Sequence, residues 1–196
     1  SGAARNAEFK FTYGLAPVTV AVGQYNHPDV KKGWFLVTDA NELAVGDKVI
    51  IAAKSPDGTL DYAVKKFTSN NPSSTSGIAI ELLGNSIRSV DGVEQFTLES
   101  GHTDYAGTWA FNCDSYSRYL YPNSSTIKLT TTLDKKSSWT IEIASDGKAT
   151  LTSKTGSSST SYNTMMFNYA SSSQTFTAQK ASTTGKGAIY IYKYFE

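Results

Sequence analysis

Apolar and polar residues alternate along most of this chain, in short runs. The segment "EFKFTYG" sets Phe9, Phe11 and Tyr13 against polar neighbours, and "PVTVAVG" does the same with Val18, Val20 and Val22. A period of two places such residues on one face of a strand. Residues 14–17, "GLAP", read as the turn between them. From Trp34 onward come "WFLVT", "KVIIAA", "DYAVKKF", "IAIELL", "NSIRSV", "EQFTLE", "TWAFNC", "RYLYP", "TIKLTTTL", "WTIEIA", "KATLTSK", "TMMFNY", "QTFTAQ" and "AIYIYKY". Turn residues separate many of them: Pro56-Asp57-Gly58, Asp91-Gly92, Pro122-Asn123 and Asp146-Gly147. Helical periodicity is confined to residues 38–47. There Thr38 or Asp39 caps a single turn, Glu42 completes a capping box and Gly46 stops it.

Many short strands predict an all-β barrel or sandwich. Internal repetition discriminates between them. The middle block reads "WAFNC", "RYLYP", "TIKLTTTL", "WTIEI". The last reads "ATLTSK", "TMMFNY", "QTFTAQ", "AIYIYKY". Leu120 precedes Leu129 by the same interval as Phe167 precedes Phe176. A seven-residue insertion, "TGSSSTS", separates the two blocks' spacings. The first block reads "KVIIAA", "DYAVKK", "NSIRSV", "QFTLE", with a longer insertion, "SNNPSSTSGIAIELLG", before its third strand. Three four-strand units give the strand arithmetic of a β-trefoil, a barrel capped at one end by hairpins. A β-sandwich of look-alike strands is the alternative. Closure would remove the exposed sheet edges that promote aggregation. The predicted organisation is a β-trefoil-like domain over residues 31–196. Residues 1–30 form an extra hairpin or the tail of a preceding domain, and His27-Pro28-Asp29 the linker.

Composition supports strands. Ser and Thr make up about a quarter of the chain and aromatic residues 12%, while charged residues reach only 18%. The formal net charge is +1 and there are three arginines, Arg5, Arg88 and Arg118. Lys31-Lys32, Lys65-Lys66 and Lys135-Lys136 read as solvated turn charges. Phosphate and base-edge recognition rely on clustered Arg and Lys, so direct nucleic-acid binding is not expected. Cys113 is the single cysteine, which leaves no internal disulfide. No apolar run reaches membrane-span length, and "SGAAR" lacks a signal peptide's pattern.

The run "GWFLVTDANELAVGDKVIIAAK", with "GTWAFN", "RYLYPNSS", "LDKKSSWTIEIASDGKATL" and "AIYIYKY", resembles a known family. It is similar to an uncharacterised β-rich C-terminal accessory domain of secreted or lipid-anchored proteins of gut Bacteroides-type bacteria. The resemblance covers about residues 33–196. It implies export and a role at the cell surface, and brings no catalytic residues with it.

Few residues are spaced for catalysis or metal binding. His27 and His102 lack ligand-spaced partners, so no metal is expected. "DGT", "DGV" and "DGK" are turns, lacking the oxygen-rich spacing of a calcium loop. Cys113 reads as a buried small hydrophobe on the face of Trp109 and Phe111. "SGHTD", residues 100–104, reads as a polar loop, because a triad needs spatial geometry that adjacency forbids. "TGKG", residues 184–187, is too short for a phosphate loop, and no cofactor is expected. Surface recognition is left. Tyrosine faces stack on sugars, and neighbouring amides bond hydroxyls. Tyr116, Tyr121, Asn123, Tyr162, Asn168 and Tyr169 lie in or beside equivalent loops and are the candidate ligand-binding residues. Alternation makes some of these rings core, and the Gln-x-Trp signature of lectin-type trefoils is absent. The expectation is a non-catalytic, monomeric, secreted or surface module binding a glycan or a host or envelope protein. A structural accessory domain is a second reading. A trefoil-type protease inhibitor using residues 69–77 is a third.

Overall fold

The computed structural model describes residues 5–13, 16–24, 32–156, 161–170 and 173–196. They divide into two compact units. In the first, β1 (Arg5–Tyr13) and β2 (Ala16–Gln24) form an antiparallel hairpin, Arg5 opposite Gln24 and Tyr13 opposite Ala16. The expected linker, 27–29, lies outside the described residues.

The second unit spans Lys32–Phe195. Its strands in chain order are β3 (Gly33–Leu36), β4 (Lys48–Lys54), β5 (Asp61–Val64), β6 (Thr75–Ala79), β7 (Leu82–Leu83), β8 (Ser86–Ile87) and β9 (Phe96–Ser100). They continue as β10 (Trp109–Cys113), β11 (Arg118–Asn123), β12 (Thr126–Thr130), β13 (Trp139–Ile143), β14 (Lys148–Ser153), β15 (Thr164–Ala170), β16 (Ser173–Gln179) and β17 (Ile189–Phe195). The pairing closes on itself: β4 to β9, β9 to β10, β10 to β13, β13 to β14, β14 to β17, and β17 back to β4. This closed ring sets aside the sandwich alternative. Three hairpins, β5–β6, β11–β12 and β15–β16, stand off the ring and touch one another. Thr126 faces Thr177, and Phe176 faces Thr75.

Alternation along the ring strands supplies the core. Val49, Ile51, Phe96, Leu98, Phe111, Trp139, Leu151 and Ile191 point inward, and each is almost or wholly buried. Burying one such side chain contributes roughly 1.5–3 kcal/mol. Trp139 also donates its indole N–H to the Leu120 carbonyl at 2.9 Å, which removes the cost of burying that group. The equal intervals read in the sequence are cross-strand pairs: Leu120 faces Leu129 and Phe167 faces Phe176.

Two expectations need correction. The third strand of the first block is β6, inside the supposed insertion, and it pairs with β5. Instead, "NSIRSV" contributes the two residues of β8, which pair with β3 and β7 on a strap outside the ring. The insertion therefore follows the third strand. The proposed inhibitor loop shrinks accordingly. Thr75 is fully buried and donates to the Ile127 carbonyl at 2.8 Å, so only the part before β6 is loop.

The strap also explains two runs that do not alternate. Ile50, Ala52, Tyr190 and Tyr192 point out of the ring. They are nevertheless buried in a second cluster with Trp34, Ile87 and Val93. β4 is thus apolar on both faces. Burial, then the Asp61 carboxylate and Tyr190, push the Tyr192 phenol up to about 12. The capped turn expected in 38–47 is present as a 3-10 turn, Ala40–Glu42. Asp39 is its cap, and the Glu42 carboxylate accepts from the Asp39 amide at 3.2 Å.

Candidate functional site

Strand direction alternates around the ring. The segment entering β4, the β9–β10 loop and the β13–β14 turn therefore share one end, the junction end. The hairpins occupy the other. Residues nominated by sequence fall mainly at the hairpin end, and most of their side chains already have partners. Tyr169 is 37% exposed, but its ring lies 5.9 Å from that of Tyr62. Tyr62 lies 5.0 Å from Phe167, which lies 5.1 Å from Phe176. This is a stack running from the surface into the core. Asn168 points the other way and accepts from Lys186 Nζ at 2.6 Å. Tyr121 faces Lys128 across β11–β12, and Asn123 opens the turn that its carbonyl closes by accepting from Thr126 Oγ1. Ser124 in that turn is left-handed, with φ of 55°. Tyr162 is 43% exposed beneath Lys180 Nζ at 5.8 Å. Tyr116 backs onto the main core. The six do not line one concavity.

The junction end does contain one. A cleft of about 430 Å³ lies between the β9–β10 loop and the turn before β4. Val45, His102, Tyr105 and Trp109 line it, with Ser100 and Thr103 among the polar residues of the wall. Its size is within the usual range of small-molecule sites, roughly 300–1,000 Å³.

Local chemistry shapes this loop. Gly101 donates its N–H to the Thr108 carbonyl at 2.9 Å. A Cβ on Gly101 would lie 2.0 Å from Thr108 Oγ1, so any larger residue there would have to displace the Thr108 side chain. Thr108 Oγ1 donates to the Tyr105 carbonyl at 2.6 Å. The 3-10 turn Thr103–Tyr105 is capped by His102, whose Nδ1 accepts from the Asp104 amide at 3.3 Å. The same Nδ1 lies 3.5 Å from the Asp104 carboxylate, so both the amide and the side chain of Asp104 hold the imidazole in place. The His102 amide donates to Ser138 Oγ at 2.9 Å and anchors the loop to the neighbouring segment. The His102 and Tyr105 rings stand 6.2 Å apart, and Val45, 62% exposed, forms the facing wall. Trp109 is half-buried and packs against the core. The cleft thus offers aromatic faces beside hydroxyls and backbone. Among the described residues, no hydroxyl is hydrogen-bonded to the His102 imidazole, and residues 101–107 form a loop around the short 3-10 turn.

Other polar chemistry is sealed. Glu94 is 1% exposed, and its carboxylate accepts from the Phe67 amide at 3.0 Å and from Ser115 Oγ at 2.9 Å. Burial, with the Glu94 carboxylate second, pushes the Cys113 thiol up to about 12. Cys113 is therefore an unreactive core group at neutral pH. Among the described residues, no three His, Cys, Asp or Glu side chains are placed to hold a metal ion, and no helix is long and apolar enough to cross a membrane.

None of the residues nominated from the sequence lines the junction cleft, although three ring side chains, His102, Tyr105 and Trp109, fall within residues 102–109. That cluster was the available signal.

Comparison with known proteins bears on the fold. No family model and no curated protein matches the chain. Six chains of solved structure do. A β-trefoil designated BEL, in an apo crystal form, superposes with a TM-score of 0.52 at 13% identity, covering 80% of this chain and 99% of that one. The lysenin pore gives a TM-score of 0.44 at 12% identity, covering 92% of this chain and 54% of the other. The chain has an all-β, β-trefoil-like fold, with the closed barrel described above.

Proposed function

We propose that this protein is a non-catalytic binding module that holds a carbohydrate in the junction cleft. The observation that carries the reading is the wall itself: Tyr105 and Trp109 beside the His102 imidazole and the hydroxyl residues Ser100 and Thr103. Apolar ring faces stack on the C–H faces of a sugar, and flanking donors and acceptors bond its hydroxyls. Each aromatic contact contributes roughly 0.5–1.5 kcal/mol, and each net hydrogen bond a similar amount. Four or five such terms give a dissociation constant on the order of millimolar to high micromolar. The architecture supports the same reading. We take β4–β5–β6–β9, β10–β11–β12–β13 and β14–β15–β16–β17 as three copies of one unit, each giving two strands to the ring and a hairpin to the cap. The resemblance to Bacteroides-type accessory domains supports export and display at the cell surface.

Glycan-array binding of the whole chain, followed by titration of any hit, tests the reading. Trp109→Ala and Tyr105→Ala should each weaken binding about two- to tenfold, while Tyr121→Ala and Tyr169→Ala should leave it unchanged. The opposite pattern would move the site to the hairpin end. Absence of binding across the array would defeat the carbohydrate assignment.

A further inference from the structure

The motif "TGKG", residues 184–187, gains a meaning in three dimensions. Its glycines are required by the backbone. Gly185 has φ of +70°, and a Cβ on Gly187 would lie 2.0 Å from the Lys54 carbonyl oxygen. Gly187 also exchanges two backbone hydrogen bonds with Phe167, at 2.8 and 3.3 Å. These contacts hold the loop before β17 against β15. Lys186 has no such backbone reason to be lysine.

That loop forms one wall of a second cleft, of about 310 Å³, between the starts of β14 and β17 and the start of β15. Lys148, Thr150, Met166, Thr183, Thr184 and Lys186 are among its lining residues. Lys186 is half-buried, and Asn168 Oδ1, a neutral acceptor, holds its ammonium at 2.6 Å. Among the described residues, no carboxylate lies within ion-pair distance of it. Lys148 adds a second ammonium, paired with Asp146 at 2.8 Å. Hydrogen bonding to Asp146 holds the Lys148 ammonium above its ordinary range, so it stays charged through neutral pH. Elsewhere Lys48, Lys54 and Lys193 each meet a carboxylate. A cation fixed by a neutral amide at a threonine-lined hollow lacks only its anion.

We infer that this cleft is an oxyanion site, taking a sulfate, phosphate or carboxylate group with Lys186 as the principal cation and Lys148 as the second. The threonine hydroxyls supply further donors, and the volume exceeds that of a free inorganic ion, leaving room for the group's carrier. Charge-assisted bonds from positioned ammoniums are about twice as strong as neutral ones. The site is independent of the carbohydrate reading of the junction cleft, and its variants leave that cleft intact.

The test is an amide-resolved NMR titration of the whole chain with sodium sulfate, inorganic phosphate and sodium glucuronate, each against sodium chloride at matched ionic strength. Saturable shifts confined to residues 148–150 and 183–187 are expected from at least one probe. A preference for glucuronate indicates an acidic sugar as the source, and a preference for sulfate or phosphate a tetrahedral anion. Lys186→Gln should weaken binding about tenfold or more, and Lys148→Gln less. Lys66→Gln, an exposed lysine elsewhere, should leave it unchanged. Shifts matching those of chloride, or binding that survives Lys186→Gln, would overturn the assignment. Unchanged amide dispersion in Lys186→Gln shows that any loss is not unfolding.

Discussion

The two ends of the barrel use aromatic residues differently. At the hairpin end, rings pack on rings: Tyr169 on Tyr62, Tyr62 on Phe167, Phe167 on Phe176. At the junction end, His102, Tyr105 and Trp109 face an open cleft. The hairpins need that packing, because a hairpin alone is marginal and these three cap the barrel by burying apolar residues against each other. The β9–β10 loop is under no such demand. It is held by backbone and hydroxyl bonds, which leaves its rings available to a ligand. The same residue types therefore signal stability at one end and recognition at the other.

The sharpest way to break this contrast is to remove a ring at each end. Phe167→Ala deletes a fully buried side chain between Tyr62 and Phe176 and should cost ~3–5 kcal/mol. For a chain of this size that lowers Tm by roughly 10 °C, allowing about 2–4 °C per kcal/mol. Trp109→Ala should cost clearly less by the same thermal measurement, because its ring is only half-buried. If Trp109 proves as costly as Phe167, the junction end is core and the contrast fails.

The crossing inside the junction loop gives an intermediate effect. Gly101→Ala places a methyl group against Thr108 Oγ1 and near Ser138, and should destabilise by ~1–3 kcal/mol. Thr108→Ala alone loses one hydrogen bond, worth ~0.5–1.5 kcal/mol. The double variant removes the 2.0 Å contact with Thr108 Oγ1 and leaves those with the Thr108 and Ser138 Cβ atoms at 3.1 and 3.2 Å, so its cost should fall below the sum of the two singles in urea unfolding. Simple additivity would show that the loop relaxes freely and does not hold the cleft's shape.

Much of the hairpin end was legible in the sequence. The interval shared by Leu120/Leu129 and Phe167/Phe176 reports cross-strand pairing directly, because hairpin register fixes it. β6 was read three residues late, as the strand "IAIELL", and set inside an insertion, for a physical reason. Gly77 sits there because a Cβ would come within 3.0 Å of the Phe167 ring, and a glycine erases the alternation that marks a strand. "IYIYKY" showed which residues share a face. It could not show that the strap buries the second face, since that cover comes from Trp34, Ile87 and Val93, far earlier in the chain. The junction cleft had no periodic signature at all. Its shape depends on one glycine crossing one threonine and on an anchor at Ser138, contacts that no local pattern encodes.

The smallest effect tests the hairpin stack without disturbing its packing. Burial first, and then the Tyr169 hydroxyl beside it, push the Tyr62 phenol above its ordinary 10.0. A raised phenol pKa means that the folded state keeps its proton to higher pH than the unfolded chain does. The associated stability is therefore fully present below pH 10.0 and is lost as pH rises through the folded value. Tyr169→Phe keeps the ring and removes the hydroxyl. Tyr62 should then ionise at lower pH, yet still above 10.0, because burial remains. An NMR titration of the ring signals, assigned with Tyr62→Phe, reads this shift, and Tyr105→Phe should leave it unmoved. A Tyr62 titration indifferent to Tyr169→Phe would mean that Tyr169 is not packed on the stack. It would then be a free surface ring at the hairpin end, the very property that distinguishes the junction end.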